Sequence, residues 1–415
     1  MKILYLHQYF VSRKGTTGTR SYEFGKYLVE QGHEVTMMTS GVANTEFPCP
    51  PDKEFVTGEA DGIKVVAVNA GYNDPHQGTG MGGMARMKMF HQFAKKLSAV
   101  GKTLDKPDVV FATHTPLMIG LAGKTLAKHF DVPFVFEVRD LWPEALVNIG
   151  SLNNPLAAWY LKRMAGKLYK AADHIVALSP GMKAGILKYG TPDEKVTVIT
   201  NASDMDLFKP GLDGSASRER LGLGDRFSAV YFGAMGHANG LEYAVEAGRI
   251  LKERGREDIA IVLHGGGGKL EELKALAAEY KLDNVVFSAL VPDKAEVANI
   301  VAGCDVCMTI YRAAKEHTWS PNKMFDALAA GKPVLINVPG WLGETIENNG
   351  CGRYCQETDP TSLADALEEL SAAPELCEQM SINSRKLAER EFDRLKLAAR
   401  LEAVLTHAKK KCCGG

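Results

Sequence analysis

The chain has 415 residues, of which 45% are hydrophobic and 24% are charged, a composition typical of a globular protein with two or three domains. A formal net charge of -1 argues against nucleic-acid binding, and eight cysteines in a chain of this length argue against a disulfide scaffold. No apolar run reaches the roughly 18 residues that a membrane-spanning helix needs, and the N-terminus leads directly into a predicted strand. We therefore expect a cytoplasmic protein, either free or peripheral at the inner face of the membrane.

The N-terminal half begins with the pattern of a strand, a glycine-rich loop and a helix. The apolar run from Lys2 to Tyr9 is typical of a buried parallel strand, and Gly15, Gly18 and Arg20 lie in the loop before a helix that ends at Glu30. Further strands, mostly separated by helical segments, are predicted at residues 33–39, 63–68, 108–112, 133–138, 174–177 and 196–199. This alternation predicts a doubly wound parallel sheet, which binds ligands at the carboxyl ends of its strands.

A charged pair, Arg139 and Asp140, directly follows the predicted strand at residues 133–138. Such a pair at the end of a strand marks either a ligand site or a helix cap, and Asp140 can cap the helix that begins near Trp142. Arg139 has no capping role there, which makes it the stronger candidate for a functional side chain. His114, which follows the strand at residues 108–112, is interpreted as a loop residue.

Residues 210–217 combine proline, glycine and serine and separate two regions rich in predicted strands. We therefore place an N-terminal domain at residues 1–209, a second domain at residues 210–391, and a C-terminal helix with a basic tail at residues 392–415. In the second domain two strands end in glycine-rich turns, one from Gly233 to Gly240 and one from Gly265 to Lys269. Turns of this composition allow a ligand to approach the backbone closely.

The stretch from His317 to Val338 is predicted to form a loop, a short helix and a buried strand. Ser320 is a typical N-cap residue and Pro321 a typical first-turn residue, so the helix is predicted to begin there. Lys323 lies in the first turn, where the helix dipole disfavours a cation, and Asp326 follows on the same face one turn later. This arrangement suits a nucleoside diphosphate, with phosphate at Lys323 and the ribose hydroxyls at Asp326. The alternative is a surface ion pair between the two side chains.

Residues 84–106 are predicted to form a basic amphipathic helix. Met84, Met87, Phe90 and Leu97 recur at helical spacing, and the segment contains six lysines or arginines but only one acid, Asp105. A helix of this kind can lie in the surface of an anionic membrane. The alternative is that the apolar stripe packs on the N-terminal sheet and the lysines face solvent.

From Met1 to about Leu405 the chain resembles retaining glycosyltransferases of family 4, which have the GT-B fold. The resemblance rests on the N-terminal glycine loop, the glycine-rich turn that begins at Gly265, and the segments SPNKMFDALAAGKPV and VTVITNASDMDLF. The segments HQYF, EVRDLWPE and SPNK are especially similar to a bacterial branch of N-acetyl-fucosamine transferases of surface-polysaccharide synthesis. The resemblance implies an α/β fold with two doubly wound Rossmann-like domains facing a cleft, and a C-terminal helix that returns to the N-terminal domain.

The resemblance also assigns roles to residues by position. Asp326 matches the second acid of a pair in this family and would bind the ribose hydroxyls. Thr318 occupies the position of the first acid, so the contact that this acid makes with the donor sugar stays open here. Arg139 and Asp140 fall on an acceptor-side His–Asp pair, with an arginine in place of the histidine. These two residues and Lys323 are the candidate catalytic residues.

The family's basic pair, which binds phosphate, falls on Ala234 and Asn239. The phosphate ligands that remain as candidates are Lys323, the amides of Gly18 and Gly236, Arg20 and Lys269. The complete donor-binding set that we predict is Gly15, Gly18, Arg20, Gly233, Gly236, Asn239, Gly266, Lys269, Thr318, Ser320, Asn322, Lys323 and Asp326.

The activity implied is transfer of a hexosyl or acetamidohexosyl group from a nucleoside diphosphate sugar, with uridine as the favoured base, to an acceptor hydroxyl with retention of configuration. The expected partners are this donor, a polyprenyl-linked or other glycan acceptor and an anionic membrane surface at residues 84–106, but no nucleic acid. No cofactor and no obligatory metal are expected. Two alternatives remain open, a sugar-nucleotide 2-epimerase of the same architecture and a catalytically inactive GT-B scaffold.

Overall fold

A computed structural model describes residues 1–13, 19–42, 45–71, 83–148, 150, 152–291, 293–314 and 317–413, apart from the side chains of residues 84, 412 and 413. The chain divides into two compact units. Unit 1 comprises Met1–Thr200, Thr318–Ser320 and Leu395–Gly415, and unit 2 comprises Asn201–His317 and Pro321–Arg394. The predicted α/β class is confirmed, because each unit is built on its own largely parallel sheet.

The strands of unit 1 are β1 (Lys2–Leu6), β2 (Glu34–Ser40), β3 (Phe55–Ala60), β4 (Ile63–Val68), β5 (Val109–Thr113), β6 (Phe134–Val138), β7 (His174–Ala177) and β8 (Val196–Val198). They form one sheet in the order β3-β4-β2-β1-β5-β6-β7-β8, and every pair is parallel except β3 with β4. The sequence did not predict β3, because this edge strand buries only Ala60 and lacks a continuous apolar run.

The helices of unit 1 are α1 (Arg20–Glu30), α2 (Gly83–Gly101), α3 (Ile119–Phe130), α4 (Glu144–Asn148), α5 (Pro155–Ala171) and α6 (Pro180–Leu187). In α2, Phe90, Phe93 and Leu97 are buried in the core that also contains strand residues such as Leu4 and Phe136. The apolar stripe of residues 84–106 therefore packs on the sheet, and the prediction that this stripe lies in a membrane is wrong.

In unit 2 the strands are β9 (Phe227–Ala234), β10 (Ile259–Gly266), β11 (Val285–Ala289), β12 (Val306–Thr309), β13 (Val334–Ile336) and β14 (Gly352–Tyr354). They form a parallel sheet in the order β11-β10-β9-β12-β13-β14. The helices are α7 (Ser215–Arg220), α8 (Glu242–Glu253), α9 (Leu270–Glu279), α10 (Lys294–Ala302), α11 (Asn322–Ala329), α12 (Trp341–Asn348), α13 (Pro360–Ser371) and α14 (Pro374–Leu387). The sequence did not predict β14, because three residues are too few to show a period.

Unit 2 begins at Asn201, a few residues before the boundary predicted at residue 210. The intervening segment packs within unit 2, where Ser203 Oγ donates a hydrogen bond to Asp326 Oδ1 at 2.7 Å and the ring of Phe208 is buried. Arg385 donates to the carbonyl of Phe208 at 3.1 Å. The chain therefore changes units before the proline- and glycine-rich segment rather than within it.

The last helix, α15 (Arg394–Cys413), groups with unit 1 from Leu395 onward, as the expected fold requires. Its residues Leu397, Leu401 and Leu405 are buried. A side-chain contact and an ion pair fix its polar side: Glu402 Oε1 lies 2.9 Å from His33 Nε2, and Lys409 Nζ pairs with Asp108 Oδ1 at 3.0 Å. Within the described part of the chain, no helix is both long and apolar enough to cross a membrane.

Candidate active site

Lys323 lies in the first turn of α11, and its ammonium group reaches the side chain of Tyr231 in β9. Its Nζ donates to Tyr231 Oη at 2.5 Å and lies 3.8 Å from the centre of the same ring. Tyr311, two residues after β12, provides a second ring whose centre is 5.2 Å from Nζ. The hydroxyl of Tyr231 in turn donates to the carbonyl of Ala234 at 2.7 Å. Two aromatic rings thus hold the cation without neutralising its charge.

Among the described residues, no carboxylate forms an ion pair with Lys323. Burial lowers the pKa of Lys323 to about 7, because desolvation disfavours the ammonium form. The alternative of a surface ion pair between Lys323 and Asp326 is wrong, since each side chain has a different neighbour. A desolvated cation that the fold leaves uncompensated is a place where an anion would bind favourably.

Two glycine-rich turns lie side by side next to this cation. The parallel pairing of β9 with β10 continues to their ends, where Gly233 is paired with Gly265, and the amide of Met235 donates to the carbonyl of Gly266 at 2.8 Å. Gly265 has a φ of 140°, and a Cβ there would lie 1.9 Å from the carbonyl oxygen of Gly233. A Cβ at Gly233 would lie 3.5 Å from Cε of Lys323. Glycine at position 265 therefore allows the two turns to approach each other, whereas a Cβ at Gly233 would make only an ordinary contact with Lys323.

Two of the predicted phosphate ligands on these turns already have local partners. The amide of Gly236 donates to Asn239 Oδ1 at 3.2 Å, so a phosphate would have to replace this bond. Lys269 forms an ion pair with Glu272 at 2.6 Å, one turn along α9. A phosphate at Lys269 would have to compete with this ion pair, so Lys269 is a weaker candidate than Lys323, and its role in donor binding stays a prediction.

Asp326 is only 5% exposed and lies one turn beyond Lys323 in α11. Ser203 fixes one carboxylate oxygen by donating to Oδ1, whereas Oδ2 accepts no hydrogen bond from a described residue. Burial raises the pKa of this carboxyl, which shows that the charged form is poorly solvated. An oriented oxygen with spare accepting capacity is suited to a hydroxyl donor such as a ribose diol.

The segment before α11 differs from the prediction. Pro321 occupies the N-cap position without a side-chain cap bond, so Ser320 is not the cap. Thr318 and Ser320 group with unit 1, where Ser179 Oγ donates to the carbonyl of Thr318 at 2.8 Å. Asn322 is exposed at the first helical position of α11. Of the residues predicted here, unit 2 places the half-buried Lys323 and the buried Asp326 one turn apart on α11.

In unit 1 a second group of polar side chains lies at the carboxyl ends of β1, β5 and β6. Arg139 Nη1 donates to His7 Nε2 at 3.4 Å, and the other nitrogen of His7 lies 2.7 Å from Ser21 Oγ. Burial, and then the charge of Arg139, lower the pKa of His7 well below its usual value. His7 is therefore a neutral acceptor that orients Arg139, a role that the sequence motif HQYF did not indicate.

His114 is fully buried beside this group. The backbone amide of Asp140 donates to its Nδ1 at 3.3 Å, which places the ring proton on Nε2, and Nε2 has no partner among the described residues. The ring packs edge-on against Trp142, with the two ring centres 5.2 Å apart. Burial, and to a smaller extent the charge of Arg139, lowers the pKa of His114 to about 3. A buried N–H without an acceptor is costly and marks a functional candidate. His114 lies in the loop after β5, as interpreted, but the sequence did not indicate its complete burial or its ring N–H without an acceptor among the described residues.

The carboxyl group of Asp140 lies in the same half-buried region. Burial raises its pKa to about 6, although the neighbouring charge of Arg139 lowers it in part. Asp140 has no side-chain capping bond to a described residue, and α4 begins only at Glu144, so the helix-cap alternative is wrong. A carboxyl that titrates near neutral pH next to a fixed cation is suited to proton transfer or charge stabilisation.

Arg20 is buried and fully occupied by the fold of unit 1. Its guanidinium donates twice to Glu137 Oε1, and it also donates to the carbonyls of Ile199 and Thr200. Thr113 donates to the second oxygen of Glu137 at 3.0 Å. The charge of Arg20 is compensated by Glu137 inside the sheet, which disfavours it as a phosphate ligand, and its role in donor binding stays a prediction.

The other predicted members of the glycine loop, Gly15 and Gly18, lie outside the described residues. Gly266 lies at the end of β10, where its carbonyl accepts the amide of Met235. In the described part of the chain, no group of three histidine, cysteine, aspartate or glutamate side chains is arranged to hold a metal ion.

Comparison with known protein families identifies both halves of the chain. Residues 15–202 match the glycosyl transferase 4-like domain, and residues 215–387 match the domain of glycosyl transferases group 1. The chain is a glycosyltransferase. It is 25% identical to the probable glycosyltransferase WbjE of Pseudomonas aeruginosa over 293 residues, and this aligned region covers 69% of this chain and 71% of that protein. It is also 23% identical over 405 residues to glycogen synthase of Mycobacterium tuberculosis, which covers 95% of this chain and 92% of the relative.

Solved structures of similar fold cover nearly the whole glycosyltransferase. Sucrose-phosphate synthase of Thermosynechococcus elongatus superimposes with a TM-score of 0.76 at 18% identity, covering 98% of this chain and 99% of that one. The HepE protein of Anabaena in complex with UDP superimposes with a TM-score of 0.72 at 17% identity, covering 98% and 100%. These likenesses confirm the predicted GT-B fold.

Proposed function

We propose that this glycosyltransferase transfers a glycosyl group from a nucleoside diphosphate sugar to an acceptor hydroxyl. The observation that carries the proposal is the uncompensated charge of Lys323 beside two glycine-rich turns. A diphosphate would supply the missing negative charge, and the N-terminus of α11 would add its dipole. The UDP complex of the HepE protein supports a uridine nucleotide as the donor.

In this proposal Lys323 acts on the leaving group. Cleavage of the glycosidic bond leaves negative charge on the diphosphate, and a fixed cation there stabilises the transition state more than the ground state. A charge-assisted hydrogen bond contributes about 1.5–3 kcal/mol, which corresponds to a rate factor of roughly 10–100. Lys323 supplies the positive charge, Oδ2 of Asp326 accepts from the ribose, and no cofactor takes part.

The polar group of unit 1, formed by Arg139, Asp140 and His114, has a proposed role of its own. Asp140, with a pKa of about 6, can accept a proton or stabilise positive charge on the sugar, and Arg139 and the Nε2–H of His114 can orient hydroxyl groups. We place them on the acceptor and sugar side, with retention of configuration and a hexosyl or acetamidohexosyl group transferred. The resemblance to enzymes of surface-polysaccharide synthesis supports a polyprenyl-linked or other glycan acceptor and a cytoplasmic site of action.

A panel of nucleotide sugars, screened by thermal stabilisation, tests the donor class. A ligand at about 100 times its dissociation constant adds about 2.7 kcal/mol of stability, which is readily detected. The stabilising donor is then incubated with wild type, Lys323→Ala and Lys269→Ala, and sugar transfer and donor hydrolysis are both measured. We expect Lys323→Ala to slow both reactions roughly 10–100-fold and Lys269→Ala to retain them, because Lys269 is compensated by Glu272.

Three results of this panel would contradict the proposal. Interconversion of epimers at carbon 2 without transfer would indicate the epimerase. Donor binding without any turnover would indicate an inactive scaffold. Equal loss of activity in both lysine variants would show that the charge of Lys323 has no special role.

A further inference from the structure

An exposed apolar stripe runs along α5 on the side opposite to its core contacts. Leu156, Trp159 and Tyr160 are 77%, 60% and 41% exposed, and Arg163 continues their helical spacing. Arg163 lies over the ring of Trp159, with its guanidinium carbon 5.7 Å from the ring centre. The opposite side of the helix is buried through residues such as Leu161. A surface helix normally exposes polar residues, so large apolar side chains here indicate a binding surface.

Helix α2 extends this surface with positive charge. Tyr160 Oη and His91 Nε2 lie 3.1 Å apart, which joins the exposed side of α5 to α2. Lys88 and Lys95 lie three residues before and four residues after His91, so the two lysines share its face, and both are exposed. Helix α5 adds Lys162, Lys167 and Lys170, all of them exposed. Neither helix contains an aspartate or glutamate.

We propose that this surface, formed by Leu156, Trp159, Tyr160 and Arg163 of α5 with Lys88 and Lys95 of α2, docks on an anionic phospholipid bilayer. We call it the α5 surface. Leucine and the aromatic rings enter the interfacial layer, where tryptophan and tyrosine are favoured because they present both an apolar body and a polar atom. The lysines and arginine lie at the level of the phosphate groups.

The charge pattern favours a bilayer over other occupants. A second copy of the chain would bring the same cations face to face, which is unfavourable without intervening acids. A nucleic acid would satisfy the cations but would leave Leu156, the most exposed side chain of the stripe, without an apolar environment. The apolar contacts of this surface come from α5, whereas the apolar residues of α2 remain in the core.

Sedimentation of the full-length protein with vesicles tests the α5 surface. We expect binding at low salt to vesicles that contain about 30% phosphatidylglycerol in phosphatidylcholine, and much weaker binding to phosphatidylcholine alone. The paired substitution Leu156→Ser with Trp159→Ser should weaken binding at least about tenfold. Lys88→Gln with Lys95→Gln should weaken it about 25-fold, since each cation near the membrane contributes about a factor of five.

Matched controls come from equally exposed positions elsewhere. Leu290→Ser alters a leucine that is 63% exposed in unit 2, and Lys124→Gln with Lys128→Gln alters two exposed lysines of α3. We expect these controls to bind vesicles as wild type does. The assay requires neither donor nor turnover, so its result is independent of the proposed transfer reaction.

The proposal is overturned if wild type does not sediment with anionic vesicles, if it binds neutral vesicles equally well, or if the α5 variants bind as tightly as their controls. A concentration-dependent dimer that the Leu156 and Trp159 changes abolish, without vesicle binding, would assign the surface to a second copy and overturn it. Binding of single-stranded RNA with the same dependence on Lys88 and Lys95, again without vesicle binding, would assign the surface to nucleic acid and overturn it.

Discussion

The uncompensated charge of Lys323 predicts a specific dependence of donor binding on pH. In the free protein its pKa is about 7, so the ammonium form declines as the pH rises above that value. A bound diphosphate stabilises the ammonium form and raises this pKa, so binding above about pH 7 takes up a proton. The association constant should then fall by up to about tenfold per pH unit, or about 1.4 kcal/mol, between about pH 7 and about pH 9.

The perturbation is Lys323→Arg, compared with wild type and Lys323→Ala. Arginine remains charged over this range, so its affinity should not change with pH, whereas the alanine variant should bind weakly at every pH. Isothermal titration calorimetry with a nucleotide sugar measures the affinity. Because both of its phosphates are esterified, the ligand does not itself take up the proton. Repeating the titration in buffers of different ionisation enthalpy counts the protons taken up.

A wild-type affinity that stays constant between about pH 7 and about pH 9 would refute this reasoning, as would the same slope in Lys323→Arg.

The unfolded state provides a second check, on the sign of the pH dependence of stability. Its lysine has an ordinary pKa, so between about pH 7 and about pH 10 the unfolded chain binds a proton that the native protein lacks. The contribution of Lys323 to the free energy of unfolding should therefore rise with pH through this window.

Three further predictions concern the buried acids and their partners. Asp140→Asn should raise the free energy of unfolding by up to about 3 kcal/mol at neutral pH and by less near pH 5, because burial raises the pKa of this carboxyl to about 6. Denaturant titration at the two pH values measures this difference. Sugar transfer by the same variant should fall. Arg20→Lys should lower the free energy of unfolding by about 1–3 kcal/mol, because lysine cannot replace the two hydrogen bonds to Glu137. Calorimetry should find the donor affinity of this variant unchanged. A tenfold loss of donor affinity in a folded variant would return Arg20 to the donor site. Asp326→Asn should weaken nucleotide binding about tenfold or more, and Ser203→Ala should weaken it less; unchanged affinity in Asp326→Asn would exclude the ribose contact.

The fold could be predicted from the sequence because its strands are apolar runs bounded by glycine-rich turns. Strand β4 was predicted with its observed bounds of Ile63–Val68, and β7 with its bounds of His174–Ala177. The two strands that were missed, β3 and β14, lie at sheet edges, where one side of the strand lacks a neighbour and the apolar signal is weak. The boundary at Asn201 depends on contacts with residues far along the chain, such as Asp326, which local composition does not report.

The candidate site was predicted only in part, for a similar reason. Lys323 could be found because its place in the first turn of a helix is unfavourable for a cation, which is a local property. Its aromatic neighbours Tyr231 and Tyr311 could not be found, because they reach it only through the order of β9, β12 and α11 in the fold. The same holds for His114, whose unusual state depends on burial and on the amide of Asp140.

Two cations of this chain, the buried Arg20 and the half-buried Lys323, show how a structural charge differs from one proposed to bind a ligand. Arg20 and Lys323 were both predicted phosphate ligands, and both lie near the start of a helix that follows a parallel strand. Glu137, near the carboxyl end of the otherwise apolar strand β6, accepts two hydrogen bonds from Arg20, so the fold itself offsets the cost of burying that cation. Lys323 has only neutral rings and a hydroxyl, which lower the cost without removing the charge. A cation that the fold desolvates but does not compensate gains most from an anion that binds from solvent, and for this reason we propose Lys323 rather than Arg20 as the ligand of the diphosphate.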